Sequence, residues 1–228
     1  MSTGNAPRAL APLPPGTAAA GPHHPADVAM AVRVPPAPEL VRPAHVGGAV
    51  AFADLVRSGA LVRVRGDVAV RPTTPLTPAV RAASLAHLVP ERTVVGGLSA
   101  AWVHGGTPAP STVEVIHPLG VHRPPPLPGR APRQSALLRT EVALIGGVLV
   151  TTIERTALDL ACLHDPQASS PVLLALVARC ELDLDAVRDS LDLRSRRTGA
   201  PRARRVLDAL AGRLRAAPAG GEPGPRLP

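Results

Sequence analysis

Proline sets the limits of what this chain can fold. Pro12, Pro14, Pro15, Pro22, Pro25, Pro35, Pro36 and Pro38 punctuate the first 38 residues, with small residues between them. Each proline removes a backbone donor and fixes φ, so neither a helix nor a ladder propagates through such a run, and no periodic apolar face forms. Residues 1–38 are therefore expected to be a disordered arm. Residues 216–228, with Pro218, Pro223, Pro225 and Pro228, are expected to be a disordered tail. His23-His24 in the arm supplies two imidazoles but no further ligand, so no metal is expected. From about Ala44 apolar residues recur at helix and strand periods as far as Leu214, enough chain to bury a core.

The side-chain inventory excludes several kinds of chemistry. All 25 basic residues are arginine and there is no tyrosine. Without lysine there is no Walker A lysine, no Schiff base and no lysine of a PD-(D/E)xK nuclease; without tyrosine there is no tyrosine nucleophile. Cys162 and Cys180 lie in apolar helical contexts without a CxxC spacing and read as reduced core thiols. Apolar runs stop well short of the ~18 residues a membrane span needs, and no basic leader precedes them, so a soluble cytoplasmic protein is expected. The net charge of +8 is unevenly spread. Residues 140–193 carry nine acids against three arginines, and 194–215 carry eight arginines against Asp208 alone. A basic end on an acidic body points toward a polyanionic partner.

Coarse periodicity gives an α+β chain in three folded parts. In 39–75 a helical stripe (Val46, Val50, Ala53, Leu55-Val56) ends at Gly59, and Leu61–Arg65 and Val68–Arg71 then flank a Gly66-Asp67 turn. Helix followed by hairpin is the second half of a winged helix-turn-helix, here degraded because Pro35, Pro36, Pro38 and Pro43 interrupt any first helix. In 76–193 a small mixed sheet with packed helices is expected. Thr77-Pro78 opens a helix; Thr93–Val95, Thr112–Ile116, Ser135–Arg139 and Gly147–Val150 are strands, and 118–133 is a Pro/Arg loop. Ser99 is expected to cap a short helix through Val103, and Thr151 with Glu154 to form a capping box for a helix to Leu163. Helices then run from Ser170-Pro171 to Cys180, from Asp183 to Leu193, and from Thr198 or Pro201 to Leu214 within the basic segment 194–215.

Two phrases stand out. Gly97-Leu98-Ser99-Ala100-Ala101-Trp102-Val103-His104-Gly105 precedes a strand, and Thr151-Thr152-Ile153-Glu154-Arg155-Thr156-Ala157-Leu158-Asp159-Leu160-Ala161 opens a helix about fifty residues later. Together they resemble the actinobacterial members of the AbiEi family of antitoxins from type IV toxin–antitoxin systems. The resemblance spans roughly residues 44–211. It implies a bacterial, non-enzymatic α+β protein whose N-terminal winged helix represses its own promoter and which opposes a nucleotidyltransferase toxin, with no cofactor. In such systems the antitoxin need not touch the toxin. Some longer relatives continue into a restriction-endonuclease-like domain. Only about eighteen residues follow Leu210 here, so that catalytic domain is expected to be absent.

The residues nominated for DNA are Arg57, Arg63, Arg65 and Arg71 of the helix and hairpin, and Arg194, Arg196, Arg197, Arg202, Arg204 and Arg205 of the basic end. Strand alternation places Val62 and Val64 on one face and Arg63 and Arg65 on the other, either a DNA-contacting wing or a solvated hairpin face. The helix before it offers only Arg57, Asp54 and His45, a poor set for reading base edges in the major groove. The basic helix would pack Val206, Leu207 and Leu210 inward and splay its arginines onto phosphates, or dock on the acidic 181–192 segment. The absence of interleaved aromatics disfavours base stacking. Ser99, Trp102, His104, Thr151, Glu154, Arg155 and Asp159 are expected to be mainly structural, with Arg155 and Asp159 as an i,i+4 pair. A Ser99–His104 hydrolase with Glu114 as third member is the weakest reading. An orphan module binding nucleic acid without sequence preference, derived from the nuclease-fused relatives, is the alternative to the antitoxin.

Overall fold

The computed structural model describes residues 39–193 and 197–216. The arm 1–38, Arg194, Arg196 and the tail after Ala216 lie outside the described residues. The first unit is a 3₁₀ turn at Pro43–His45, helix α1 (Ala49–Arg57) and an antiparallel hairpin of β1 (Val62–Arg65) and β2 (Val68–Val70). Val41 bonds Ala69 in both directions and adds a one-residue third edge. Phe52, Leu61 and Ala69 form its core, with Val41, Val46, Leu55 and Val56 packed around them.

Helix α2 (Pro78–Leu85) begins as the sequence indicates, with Thr77 Oγ1 accepting from Val80 N at 3.3 Å and proline at the first helical position, where its missing N–H is of no consequence. A five-stranded mixed sheet follows: β3 (Val94–Val95), β4 (Val113–His117), β5 (Arg130–Gln134), β6 (Val142–Ile145) and β7 (Val148–Thr151), in the order β5-β4-β3-β7-β6. β3 is antiparallel to β4 and parallel to β7; β4 and β5 are parallel, and β6 and β7 close a hairpin. Alternation along the strands builds two faces. Val95, Val113, Val115, Val148 and Val150 pack with Ala82, Leu85, Ala100, Trp102 and Val103. Val94, Ile116 and Val142 pack on the other side with Leu137 and Leu149.

Helix α3 (Gly97–Gly105) sits between this sheet and a helical cluster made by α4 (Ile153–Leu163), α5 (Pro166–Cys180), α6 (Leu184–Asp192) and α7 (Ala200–Ala216). Its Ala100, Trp102 and Val103 face the sheet, whereas Ala101 enters the helical cluster. A helix covered on opposite sides must be apolar nearly all round and slim, which accounts for its Gly, Ser and Ala. Val206, Leu207 and Leu210 do pack inward, so α7 shares one core with α4, α5 and α6.

Several boundaries differ from expectation for identifiable reasons. Strand β5 lies at Arg130–Gln134, over the end of the expected 118–133 loop and one residue beyond it, because pairing with β4 overrides the weak strand signal of a segment containing Pro132. Residues Ser135–Arg139 are not a strand, and Arg139–Glu141 is a 3₁₀ turn. Helix α5 starts at Pro166 rather than at Ser170: Asp165 Oδ1 accepts from Gln167 N at 2.8 Å, and Pro171 lies inside the helix, giving up one backbone bond. Cys162 is buried, while Cys180 is only partly so; burial raises both thiols above their ordinary range.

The α7 entry depends on Gly199. Its φ is +84°, and a Cβ built there would lie 2.1 Å from the Cys162 carbonyl oxygen at the end of α4. Gly199→Ala should therefore lower the unfolding free energy by about 2 kcal/mol or more. Gly212→Ala, in the same helix with nothing within 4 Å of the added methyl, should raise it by about 0.5–1 kcal/mol. Urea titrations of both variants check the contrast; equal effects would show that α7 does not pass against α4 at this point.

Candidate nucleic-acid interface and the buried arginine network

The two sequence phrases meet in space. His104 Nε2 donates to the Thr151 carbonyl at 2.7 Å, tying the last turn of α3 to the end of β7. Thr151 is the final strand residue and fully buried, its hydroxyl bonded to that of Thr156 at 2.7 Å. It is not the helix cap. Thr152 takes that place, accepting from Arg155 N at 3.3 Å, and Glu154 is exposed and does not reach back. The capping box is thus replaced by a cap one residue later, because Thr151 is held in the sheet by pairing with Val142. Trp102 is buried against the sheet.

Arg155 is the centre of the second phrase. Its side chain is 1% exposed and its Nε donates to Asp159 Oδ1 at 3.0 Å. Nη1 donates to Glu141 Oε2 at 2.5 Å and to the Ala136 carbonyl at 3.1 Å, and Nη2 to Ser135 Oγ at 2.9 Å. Asp159, with no exposed surface, also accepts from Arg133 Nη2 at 2.5 Å and from Arg197. The expected i,i+4 pair is therefore part of a network that joins, among the described residues, three guanidinium groups and two carboxylates. An open cavity of about 500 Å³ beside it is lined by Arg133, Ser135, Glu141, Arg155, Leu163 and Arg197, among others. Such a network contributes little over an apolar replacement, but loss of one member leaves an uncompensated charge.

Ser99 does not cap α3 either. Gly96 is the N-cap, and Ser99 Oγ accepts from Glu114 N at 3.0 Å inside the protein. The Glu114 carboxylate accepts from Leu98 N at 2.9 Å and pairs with His164 at 3.2 Å. The Glu114 carboxylate and the His104 imidazole each hold other partners, and among the described residues no side-chain to side-chain hydrogen bond joins Ser99, His104 and Glu114 as a triad. Burial pushes the His104 imidazole below its ordinary pKa of 6.5, against the opposing bond to Thr151.

The hairpin arginines do not share a face. Arg63 opposes Ala69 and Arg65 opposes Val68, with a bulge between them. Cross-strand partners lie on one side, and consecutive residues on opposite sides, so the bulge turns Arg65 away from Arg63. Arg65 points into the body, donating to the Pro110 carbonyl at 3.0 Å and the Ser111 carbonyl at 2.8 Å, and burial lowers its pKa. Arg63 stays exposed, bonded to the Gly66 carbonyl with its Cζ 5.3 Å from the Phe52 ring centroid. Arg57 pairs with Asp54, and Arg71 with Glu39 at 2.8 Å, both at the surface. Exposed pairs of this kind contribute about 0–1 kcal/mol and exchange readily for phosphate.

The basic end is also divided. Arg197 goes to Asp159, Arg202 to the Cys162 carbonyl and Arg204 to Asp192 at 2.8 Å. Arg188 of α6 returns the contact to Asp208 at 2.5 Å, so α7 docks in part on the acidic helix. Arg205, Arg213 and Arg215 are exposed and make no hydrogen bond or ion pair among the described residues. Sequence reasoning missed Arg81, Arg133 and Arg179. Arg81 donates to the Val103 and His104 carbonyls and Arg179 to those of Gly105 and Gly106, placing two cations at the C-terminus of α3, where the dipole favours them. Nothing in their sequence context separated them from solvated arginines.

Neither a family model nor a curated protein matches this chain. Among the described residues no group of three or more His, Cys, Asp or Glu is placed to hold a metal, and no helix is long and apolar enough to cross a membrane.

Asp159→Ala should cost about 3–5 kcal/mol, because three guanidinium groups lose their shared carboxylate, while Asp192→Ala at the exposed Arg204 pair should cost at most about 1 kcal/mol. Denaturant unfolding of the two variants measures the difference, and similar small losses would mean that the network is solvated. A second test uses His104. Its pKa is depressed on folding, so the folded protein binds fewer protons than the unfolded chain, and the contribution is present above pH 6.5 and lost as the pH falls below it. Stability followed from pH 8 to pH 5 should decline below pH 6.5, and His104→Gln, which keeps a donor for Thr151 but does not titrate, should flatten part of that decline.

Proposed function

We propose that this protein is a non-enzymatic DNA-binding regulator of the antitoxin type, which binds duplex DNA near its own gene and opposes a nucleotidyltransferase toxin. The observation that carries the reading is the division of its arginines. Arg65, Arg155, Arg197 and Arg202 are engaged on internal acceptors, whereas Arg57, Arg63 and Arg71 on the helix–hairpin unit and Arg205, Arg213 and Arg215 on α7 remain at the surface. The meeting of the two family-like phrases at His104 and Thr151 supports the antitoxin resemblance, since each then has a partner in the other. In this reading the helix–hairpin unit is a winged helix, Arg63 and Arg71 belong to its wing, and the surface cations position the duplex through phosphate contacts.

A second reading has its own support. Helix α1 presents Arg57 already paired with Asp54 and no Asn or Gln, so base-specific readout is poor and an orphan module with sequence-independent binding fits the same surface. A labelled duplex from upstream of the gene and a scrambled duplex of equal length, titrated by anisotropy at 50 and 150 mM salt, separate the two. The antitoxin reading predicts tighter binding to the upstream duplex at both salts. Equal, salt-sensitive affinities would replace it with the orphan module, and absence of binding to either would overturn both.

A further inference from the structure

An open charged surface lies between the start of α5 and the outer face of α7. A groove of about 670 Å³ runs there over Pro166, Pro171, Leu174, Val206 and Ala209. Arg202, Arg205 and Arg213 line it, at helix positions that fall within one sector of α7, because three and eleven residues bring the chain back close to the same side. Arg202 is fixed from behind by the Cys162 carbonyl, and its Nε is buried with no acceptor. Arg205 and Arg213 are exposed and without partners among the described residues. Gln167 and Ser170 complete the polar rim on α5, with Ser170 Oγ bonded to the Pro166 carbonyl at 2.6 Å.

Negative charge nearby is already committed. Asp165 Oδ1 is taken by the Gln167 and Ala168 amides, and Asp208 pairs with Arg188 on the α6 side. The eleven residue steps from Arg202 to Arg213 span about 16 Å of helix, the axial rise of about five nucleotides of one strand. No aromatic residue lines the groove, so nothing there stacks on a base.

We infer that this α5/α7 groove is a track for the phosphodiester backbone of duplex DNA, gripped by Arg205 and Arg213 beside the carbonyl-anchored Arg202, independently of base sequence. The inference rests on the duplex-binding reading above and assigns to a C-terminal groove, rather than to the hairpin, the main electrostatic contact. Such a track would supply affinity that the poor recognition helix lacks, leaving the hairpin unit to set orientation.

The test uses the full chain and a labelled 20-base-pair duplex of scrambled sequence in a sodium chloride titration. Arg205→Ala with Arg213→Ala removes two cations without touching Arg202 or any buried partner, so an unchanged melting temperature is expected and is measured alongside. The track predicts weaker binding, on the order of tenfold, and a log-log salt slope shallower by about two. Arg205→Lys with Arg213→Lys should restore most of both. If the wild type binds and the alanine variant matches it in affinity and slope, the track is refuted while duplex binding stands. Failure of the wild type to bind refutes the duplex reading and the track with it. Displacement of the duplex by equimolar inorganic phosphate would also refute the track, in favour of a single-anion pocket.

Discussion

The structure depends on one guanidinium group taken out of water. The Arg155 side chain is only 1% exposed, so its donors need acceptors supplied by the protein. Asp159 lies one turn further along α4, Glu141 comes from the turn before β6, and Ser135 and the Ala136 carbonyl come from the segment leaving β5. Satisfying Arg155 thus fixes α4 against both ends of the excursion between β5 and β6. Asp159 extends the constraint, since Arg133 of β5 and Arg197 at the approach to α7 converge on it. Sheet, helical cluster and basic end are joined at a single charged point.

That arrangement explains how a chain with arginine as its only cation divides its charges between holding itself together and presenting a surface. Where a carbonyl row or a carboxylate is available inside, the planar fork of arginine matches it; Arg65, Arg81, Arg179 and Arg202 all end on backbone carbonyls. Those left on the outside of α1, the hairpin and α7 face solvent or weak local partners. Raw positive charge therefore overstates the cation count open to a polyanion; besides the arginines of α1, the hairpin and α7, Arg92, Arg123 and Arg139 are exposed.

Much of this was legible in the sequence, and the failures have common causes. Helices with clear caps and apolar periods, such as those opened by Thr77 and Asp183, appear where expected. So does the inward set Val206, Leu207 and Leu210, because i, i+1 and i+4 spacing fixes one face of a helix. Strand β5 was hidden because its signal comes from a neighbour: Arg130–Gln134 has no apolar alternation and pairs because β4 needs an edge. The Arg63/Arg65 face failed through a bulge that no residue type announces. At Thr151 and Thr152, two adjacent threonines could each cap α4, and strand pairing chose between them. The buried state of Arg155 and Asp159 was beyond local reading, since i,i+4 spacing is equally compatible with an exposed pair.

The most direct measurement of this account is a thermodynamic cycle between Arg155 and Asp159, using Arg155→Met, Asp159→Leu and the double variant in urea unfolding at neutral pH. A buried, interdependent network predicts that each single change is strongly destabilising and that the double change costs much less than their sum, with a coupling of about 1–3 kcal/mol. Additive small losses would contradict it, and would mean that α4 is held to the segment between β5 and β6 by apolar packing alone.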